Sequence, residues 1–118
     1  MDLTIPHAEE VRRFYETVAG WRADPVDMGG YSDYCMSRPG GRKPAAGICH
    51  KRGANANLPS VWMIYITVAD LEASLRACRE LGGKVLAKPK SMGPGSRYAV
   101  IEDPAGAVCA LWQTSGAD

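Results

Sequence analysis

No CxxC pair occurs among the four cysteines of this chain, Cys35, Cys49, Cys78 and Cys109. A zinc ribbon or a thioredoxin-type redox motif is therefore not supported. In a reducing compartment the four read as free thiols, and a buried free thiol behaves as a small hydrophobe. Neither sign of charge is in excess, with a formal net charge of +1. That balance gives no electrostatic footprint for nucleic acid or for a membrane surface. No apolar run approaches the length of a transmembrane helix. The first residues lack the basic and apolar regions of a signal peptide, so a cytoplasmic location is expected.

What is present is a 118-residue chain, 46% apolar and 23% charged, the profile of one globular domain over residues 1–118. That length can bury a core without staples. Two segments read as strand then helix. Leu3-Thr4-Ile5-Pro6 precedes a helix over His7–Ala19, with Val11, Phe14, Tyr15 and Val18 at helical spacing and Gly20 as its stop. Trp62–Val68 precedes a helix capped by Asp70 and running to Leu81, with Leu71, Leu75, Cys78 and Leu81 as its stripe and Gly82-Gly83 as its stop.

A shift of 63 positions superposes the two segments, the mark of an internal repeat. Leu3 falls on Ile66, Ile5 on Val68, Tyr15 on Cys78 and Gly20 on Gly83, and Ala46-Gly47-Ile48 falls on Cys109-Ala110-Leu111. Each half then continues through three strands. They lie near Trp21–Met28, Tyr31–Ser37 and Ala45–His50, and near Lys84–Ala87, Arg97–Glu102 and Ala107–Gln113. Gly- and Pro-bearing turns separate them. The fold class is α+β: two tandem βαβββ modules, residues 1–50 and 61–113, joined by a polar linker over 51–60. They predict a curved mixed sheet with helices on its convex side. In strand five, Ile64, Ile66 and Val68 are expected under the helices, and Met63, Tyr65 and Thr67 on the concave face.

The stretches Leu3–Trp21, Trp62–Val85 and Glu102–Gln113 together resemble the vicinal oxygen chelate superfamily. It includes glyoxalase I, extradiol dioxygenases and bleomycin resistance proteins. The resemblance rests on a helix bearing Phe-Tyr before a Gly-aromatic turn, a strand followed by Val-x-Asp-Leu, and Asp-Pro-x-Gly before the last strand. It implies a glyoxalase-like fold, a ligand in the concavity, and a homodimer. Its metalloenzymes place one ligand on the first and last strand of each module, usually His or Gln and then Glu. Such a set leaves open positions on a divalent ion for a substrate's vicinal oxygens. Carried onto this sequence, the first position falls just before Met1, and the others fall on Gly47, Met63 and Ala110. Gly and Ala have no ligating group, and a Met thioether is too soft for oxygen-preferring ions. A slip of one residue reaches only Cys109 or Leu111, and Trp62 or Ile64. No metal and no cofactor is expected.

Alternation along the strands gives the expected cavity lining: Met63, Tyr65 and Thr67; Val108, Ala110 and Trp112; Ala45, Gly47 and Cys49; Thr4 and Asp2. Tyr34, Met36, Tyr98 and Val100 are candidates to join them. The ligand-binding candidates are Tyr34, Cys49, Met63, Tyr65, Thr67, Arg97 and Trp112, an aromatic and thioether set suited to a small aromatic or amphipathic molecule. The bland alternative is that these side chains fill the concavity as core. His50 beside Cys49 invites a Cys/His nucleophile, but adjacent strand residues point to opposite faces. Cys49 alone would be reactive only with a positive group to lower its pKa. His7 reads as a surface residue at a helix start. Asp103-Pro104 reads as the opening of a turn, more than as a catalytic pair with Glu102. Arg97 is either an anion clamp at the rim or a solvated cation. Lys88–Arg97 is a loop or a lid, and Arg38–Pro44 is a hairpin turn without the P-loop pattern.

Three functions follow in order. The first is metal-independent binding of a small molecule, of the bleomycin resistance type. The second is a lyase, isomerase or dioxygenase with a divergent site. The third is a structural or regulatory domain with a filled cavity.

Overall fold

A computed structural model describes residues 1–41, 43–52, 56–91 and 95–114. Residues 53–55 of the expected linker lie outside the described residues, as do Arg42 of the Arg38–Pro44 turn and Met92, Gly93 and Pro94 of the Lys88–Arg97 segment. The chain forms two compact units, Met1–Trp62 and Met63–Asp118.

In the first unit, β1 (Asp2–Ile5), α1 (Ala8–Val18), β2 (Arg22–Asp27), β3 (Ser32–Ser37) and β4 (Pro44–His50) follow in order, and β5 (Trp62–Met63) comes after the linker. The sheet order is β2-β3-β4-β1-β5, with β1 and β4 parallel and the hairpins antiparallel. Helix α1 forms because Ala8, Val11 and Tyr15 recur on one stripe, and Gly20 ends it at φ 69°. Those residues pack on Leu3, Ile5, Tyr34, Met36, Ala46 and Ile48. The expected stripe is narrower in fact. Phe14 and Val18 stay exposed: Phe14 is turned about 100° from Tyr15, whereas Val18 follows Val11 on the same stripe and stands in the helix's last turn. Tyr15 also stacks on Trp21 and receives a hydrogen bond from Trp62 Nε1 at 3.1 Å, which ties the start of strand five to this unit.

In the second unit, β6 (Tyr65–Thr67), α2 (Leu71–Glu80), β7 (Lys84–Ser91), β8 (Arg97–Glu102) and β9 (Val108–Gln113) form a sheet ordered β6-β9-β8-β7. Asp70 caps α2, its carboxylate accepting from the Ala73 N–H at 3.1 Å. Gln113 Oε1 accepts from the Leu71 N–H at 2.6 Å, satisfying a second orphan donor of the first turn. Leu71 and Leu75 pack on Ala99 and Leu111, with Val68, Val85 and Ile101 around them. Gly83 follows the helix where no side chain fits: a Cβ there would lie 2.7 Å from Cys78 Sγ and 2.9 Å from the Glu102 carbonyl.

The two units repeat one topology. The parallel pairs Leu3↔Ile48 and Ile66↔Leu111 are the same pair displaced by the 63-residue shift, as are Asp2↔Gly47 and Tyr65↔Ala110. The α+β class and the βαβββ repeat are thus borne out. The strands hydrogen-bond as two mixed sheets, with strand five divided at Ile64: β5 belongs to the first sheet and β6 to the second. Ile64 and Ile66 were expected beneath a helix but are 55% and 44% exposed. Strand β6 is an edge, and α2 packs on β7, β8 and β9, so of that set only Val68 reaches the core.

Candidate functional site

Each sheet carries its helix on one face, and the chemistry lies on the other. In the second unit the register fixes which residues share that face. Tyr65 pairs with Ala110, Thr67 with Trp112, Tyr98 with Trp112 and Val100 with Ala110. The rings of Tyr65 and Tyr98 are 6.2 Å apart and those of Tyr65 and Trp112 are 6.1 Å apart, all tilted. Tyr65 and Trp112 are half-buried, Thr67 is exposed, and Tyr98 is buried. Tyr65 and Trp112 are thus the partly accessible rings of this face, beside Tyr98, Val100 and Ala110, which are buried. Met63 is a buried thioether just before β6.

Arg97 lies elsewhere. It alternates with Tyr98 along β8, and its Nη2 donates to Glu72 Oε1 of α2 at 2.6 Å. The cation belongs to the helix side, where it ties α2 to the sheet. The cation on the aromatic side is Lys90 of β7, opposite Tyr98 in register, its Nζ 6.0 Å from that ring's centroid.

In the first unit, Asp2 pairs with Gly47 and Thr4 with Cys49, and Cys35 faces Gly47 from β3. Tyr34 is not with them. It pairs with Ile48 and joins the core beneath α1, where the Arg12 guanidinium sits 5.0 Å from its ring centroid. Met36 goes the same way, fully buried. A shallow cavity of about 210 Å³ is lined by Met1, Asp2, Cys35 and Pro44 to Gly47.

Burial pushes the Cys49 thiol up to about 12, and the carboxylates of Asp2 and Asp33 push the same way. Cys49 is therefore a neutral thiol at physiological pH and lacks the positive neighbour a nucleophile needs. Its neighbour His50 belongs to a different arrangement. Asp33 Oδ1 accepts from the His50 N–H at 2.8 Å and lies 3.2 Å from Nδ1 of the same ring. Tyr31 meets that ring edge-on at 5.3 Å, and the Arg52 guanidinium lies 3.9 Å from the Tyr31 centroid. Sequence reasoning missed Asp33 and Lys90; polar alternation in β3 and the position of Lys90 across from Tyr98 were the available signals.

Asp103 does organise a turn. Its Oδ1 accepts from the Ala105 and Ala107 N–H groups at 2.8 and 3.0 Å. Glu102 stands near Lys84 at 3.9 Å. His7 is the residue before α1, in the left-handed region at φ 59°, with no side-chain capping bond.

The family resemblance would place metal ligands at Gly47, Met63 and Ala110. Gly47 offers no donor, and a Cβ there would stand 2.6 Å from Asp2 Oδ1. Ala110 is fully buried, and Met63 is a thioether. These residues do not fit a divalent ion. Among the described residues, no group of three or more His, Cys, Asp or Glu is placed to hold one. No helix among them is long and apolar enough to cross a membrane.

Two βαβββ repeats, each closing its first strand parallel to its last, define the class: a glyoxalase-like α+β protein. The chain belongs to the glyoxalase/bleomycin resistance protein/dioxygenase superfamily, whose profile matches residues 1–111. It is similar to CFP32 of Mycobacterium tuberculosis (strain CDC 1551 / Oshkosh), at 32% identity over 98% of this chain and 44% of that protein. It is also similar to the anthracycline biosynthesis protein DnrV of Streptomyces peucetius, at 28% identity over 95% of this chain and 45% of that protein. The chain thus spans less than half the length of these relatives. A crystal structure of a superfamily member from Vibrio splendidus 12B01 shares the fold with a TM-score of 0.61, at 14% identity over 95% of this chain and 94% of that one.

Proposed function

We propose that this chain binds a small planar or amphipathic organic molecule, without a metal, on the aromatic face of its second sheet. The observation that carries the reading is the pair of half-buried rings Tyr65 and Trp112, centroids 6.1 Å apart, backed by the buried ring of Tyr98 on the same face. Rings held at that spacing present area to a flat ligand at little entropic cost. Metal independence rests on the donor-free Gly47 and Ala110 and the thioether Met63. DnrV is named for anthracycline biosynthesis, and anthracyclines are planar aromatic molecules, the class this face suits. The binding unit is a homodimer in the cytoplasm. A monomeric mass at micromolar concentration in solution would count against the dimer.

The test is tryptophan fluorescence quenching by a panel of bicyclic and tricyclic aromatics, with and without a chelator. Trp112→Ala is expected to weaken binding about tenfold, the scale of a lost aromatic contact, and the chelator to change nothing. Affinity lost in the chelator, or retained in the variant, refutes the proposal.

One observation favours an enzyme as the second reading. Asp33 holds the His50 ring by Nδ1, and His50 lines a cavity of about 300 Å³ with His7, Glu9 and Glu10. A carboxylate-oriented imidazole is suited to general base work. His50→Gln would then abolish turnover of a bound ligand while leaving its affinity unchanged.

A further inference from the structure

The other face of the second sheet carries a cleft of about 340 Å³, between the sheet and α2. Leu111, Ile101 and Val68 form its floor; the first two alternate along their strands with Ala110 and Val100 of the aromatic face. Its wall is one stripe of the helix and its C-cap, Ser74, Ala77, Cys78 and Leu81. The cleft has a cause in the sequence. Leu71 and Leu75 seat α2 on Ala99 and Leu111, but the next stripe is built from the small residues Ser74, Ala77 and Cys78, which do not fill the space beside them. Leu81 could fill it and does not, being 77% exposed. Val68 and Ile101 are left half-buried. Gly83 lines one end as bare backbone, where a Cβ would strike Cys78 Sγ.

The polar groups of the lining narrow what fits. Cys78 Sγ donates to the Lys84 carbonyl at 3.8 Å. Asp103 Oδ1 accepts from two backbone N–H groups of its own turn. Ser74 brings the one hydroxyl, and its side chain has no hydrogen-bond partner among the described residues. Among those residues, no lysine, arginine or aromatic ring lines the cleft. We infer that it binds a small uncharged aliphatic molecule bearing one hydroxyl, its chain over Leu111, Ile101 and Val68 and its hydroxyl on Ser74. A carboxylate finds no cation there and meets the charge of Asp103. A flat ring finds no ring to stack on. The volume lies at the lower end of the range for small-ligand sites, roughly 300–1,000 Å³. This site is separate from the aromatic face and does not rest on that reading.

The experiment titrates the full chain, labelled at its methyl groups for NMR, with linear alcohols from 1-butanol to 1-heptanol and with hexanoate. The methyl signals of Val68, Ile101 and Leu111 are expected to shift saturably. Affinity should rise roughly three- to fourfold for each added methylene until the cleft is full. Hexanoate should bind about tenfold more weakly than 1-hexanol. Ser74→Ala should weaken 1-hexanol about fivefold and keep the gain per methylene. Ala77→Leu, at an exposed helical position that leucine suits, should fill the cleft and remove the shifts. Cleft methyls unmoved by every alcohol overturn the inference, as does affinity that ignores chain length. So does hexanoate bound as tightly as 1-hexanol, or 1-hexanol bound unchanged by Ser74→Ala or by Ala77→Leu. If Ala77→Leu does not fold, the position of the shifting methyls in the wild type decides alone. Cleft methyls that shift on dilution of the free protein assign the cleft to a second copy and likewise overturn it.

Discussion

Cys49 offers the sharpest check on the electrostatics of the first module. Its thiol sits on β4 beside Thr4, half-buried, with the carboxylates of Asp2 and Asp33 near it. Burial first, then those two charges, push it from an ordinary value of 9.0 up to about 12. At pH 7.5 that shift cuts the thiolate fraction by about a thousandfold. Nucleophilicity rises with pKa along a Brønsted slope of about 0.4–0.5 and recovers roughly a fifteen- to thirtyfold factor. The net expectation is alkylation about thirty- to sixtyfold slower than a model thiol. The assay is iodoacetamide labelling followed by peptide mass spectrometry, in a chain where Cys35, Cys78 and Cys109 are replaced by Ala. Labelling of Cys49 at or above the model-thiol rate would refute the argument. The same shift acts on stability. Above pH 9 the unfolded chain releases a proton that the folded chain keeps, so stability falls as pH rises from 9 toward 12 and is fully present below that window. The slope is at most about 1.4 kcal/mol per pH unit, and Cys49→Ala should flatten it in urea titrations.

Two further outcomes follow from packing. Asp33→Ala strips the acceptor from the His50 backbone N–H and from its ring, and should cost about 1–3 kcal/mol in urea unfolding; Asp33→Asn, which keeps an oxygen there, should cost less. Gly83→Ala places a Cβ against Cys78 Sγ and the Glu102 carbonyl. It should lower stability by about 1–3 kcal/mol, the scale of overpacking, and Cys78→Ala should rescue only part of it, because the carbonyl remains. A neutral result for Gly83→Ala would show that α2 and β8 are not locked together at this point.

The repeat was the most legible feature, because a duplicated chain writes its register twice. Leu3 and Ile66 fall on each other in the sequence, and their partners Ile48 and Leu111 do so in the sheet. Cap and turn chemistry was equally plain at Asp70 and Asp103, whose side chains act on backbone within four residues. The third strand of each module was not plain. Gly47 faces Cys35, whereas the equivalent Ala110 faces Val100, so β3 and β8 are displaced by 65 positions and not 63. A uniform shift cannot find that register. Strand β3 alternates well, with Tyr34 and Met36 against Asp33 and Cys35, but alternation alone does not say which set meets the helix. Pairing with Ile48 sends the apolar set there. Arg97 was the avoidable case. The opposite-face rule that separates Cys49 from His50 also separates Arg97 from Tyr98.

Once the registers are matched, the two modules can be compared position by position. Asp2 corresponds to Tyr65, Thr4 to Thr67, Gly47 to Ala110 and Cys49 to Trp112. Across the antiparallel pair, Cys35 corresponds to Val100, and Asp33 to Tyr98. The frame is held and the chemistry is inverted. One face is small, acidic and thiol-bearing; the other is aromatic with a lysine beside it. The small residue at Gly47 follows from this, since Asp2 Oδ1 occupies the space a Cβ would need. A flat ring finds no aromatic partner among Asp2, Thr4, Gly47 and Cys49 of the first face. Aromatic partners for such a ring stand on the second face instead, where Trp112 replaces the thiol and Tyr98 the acid.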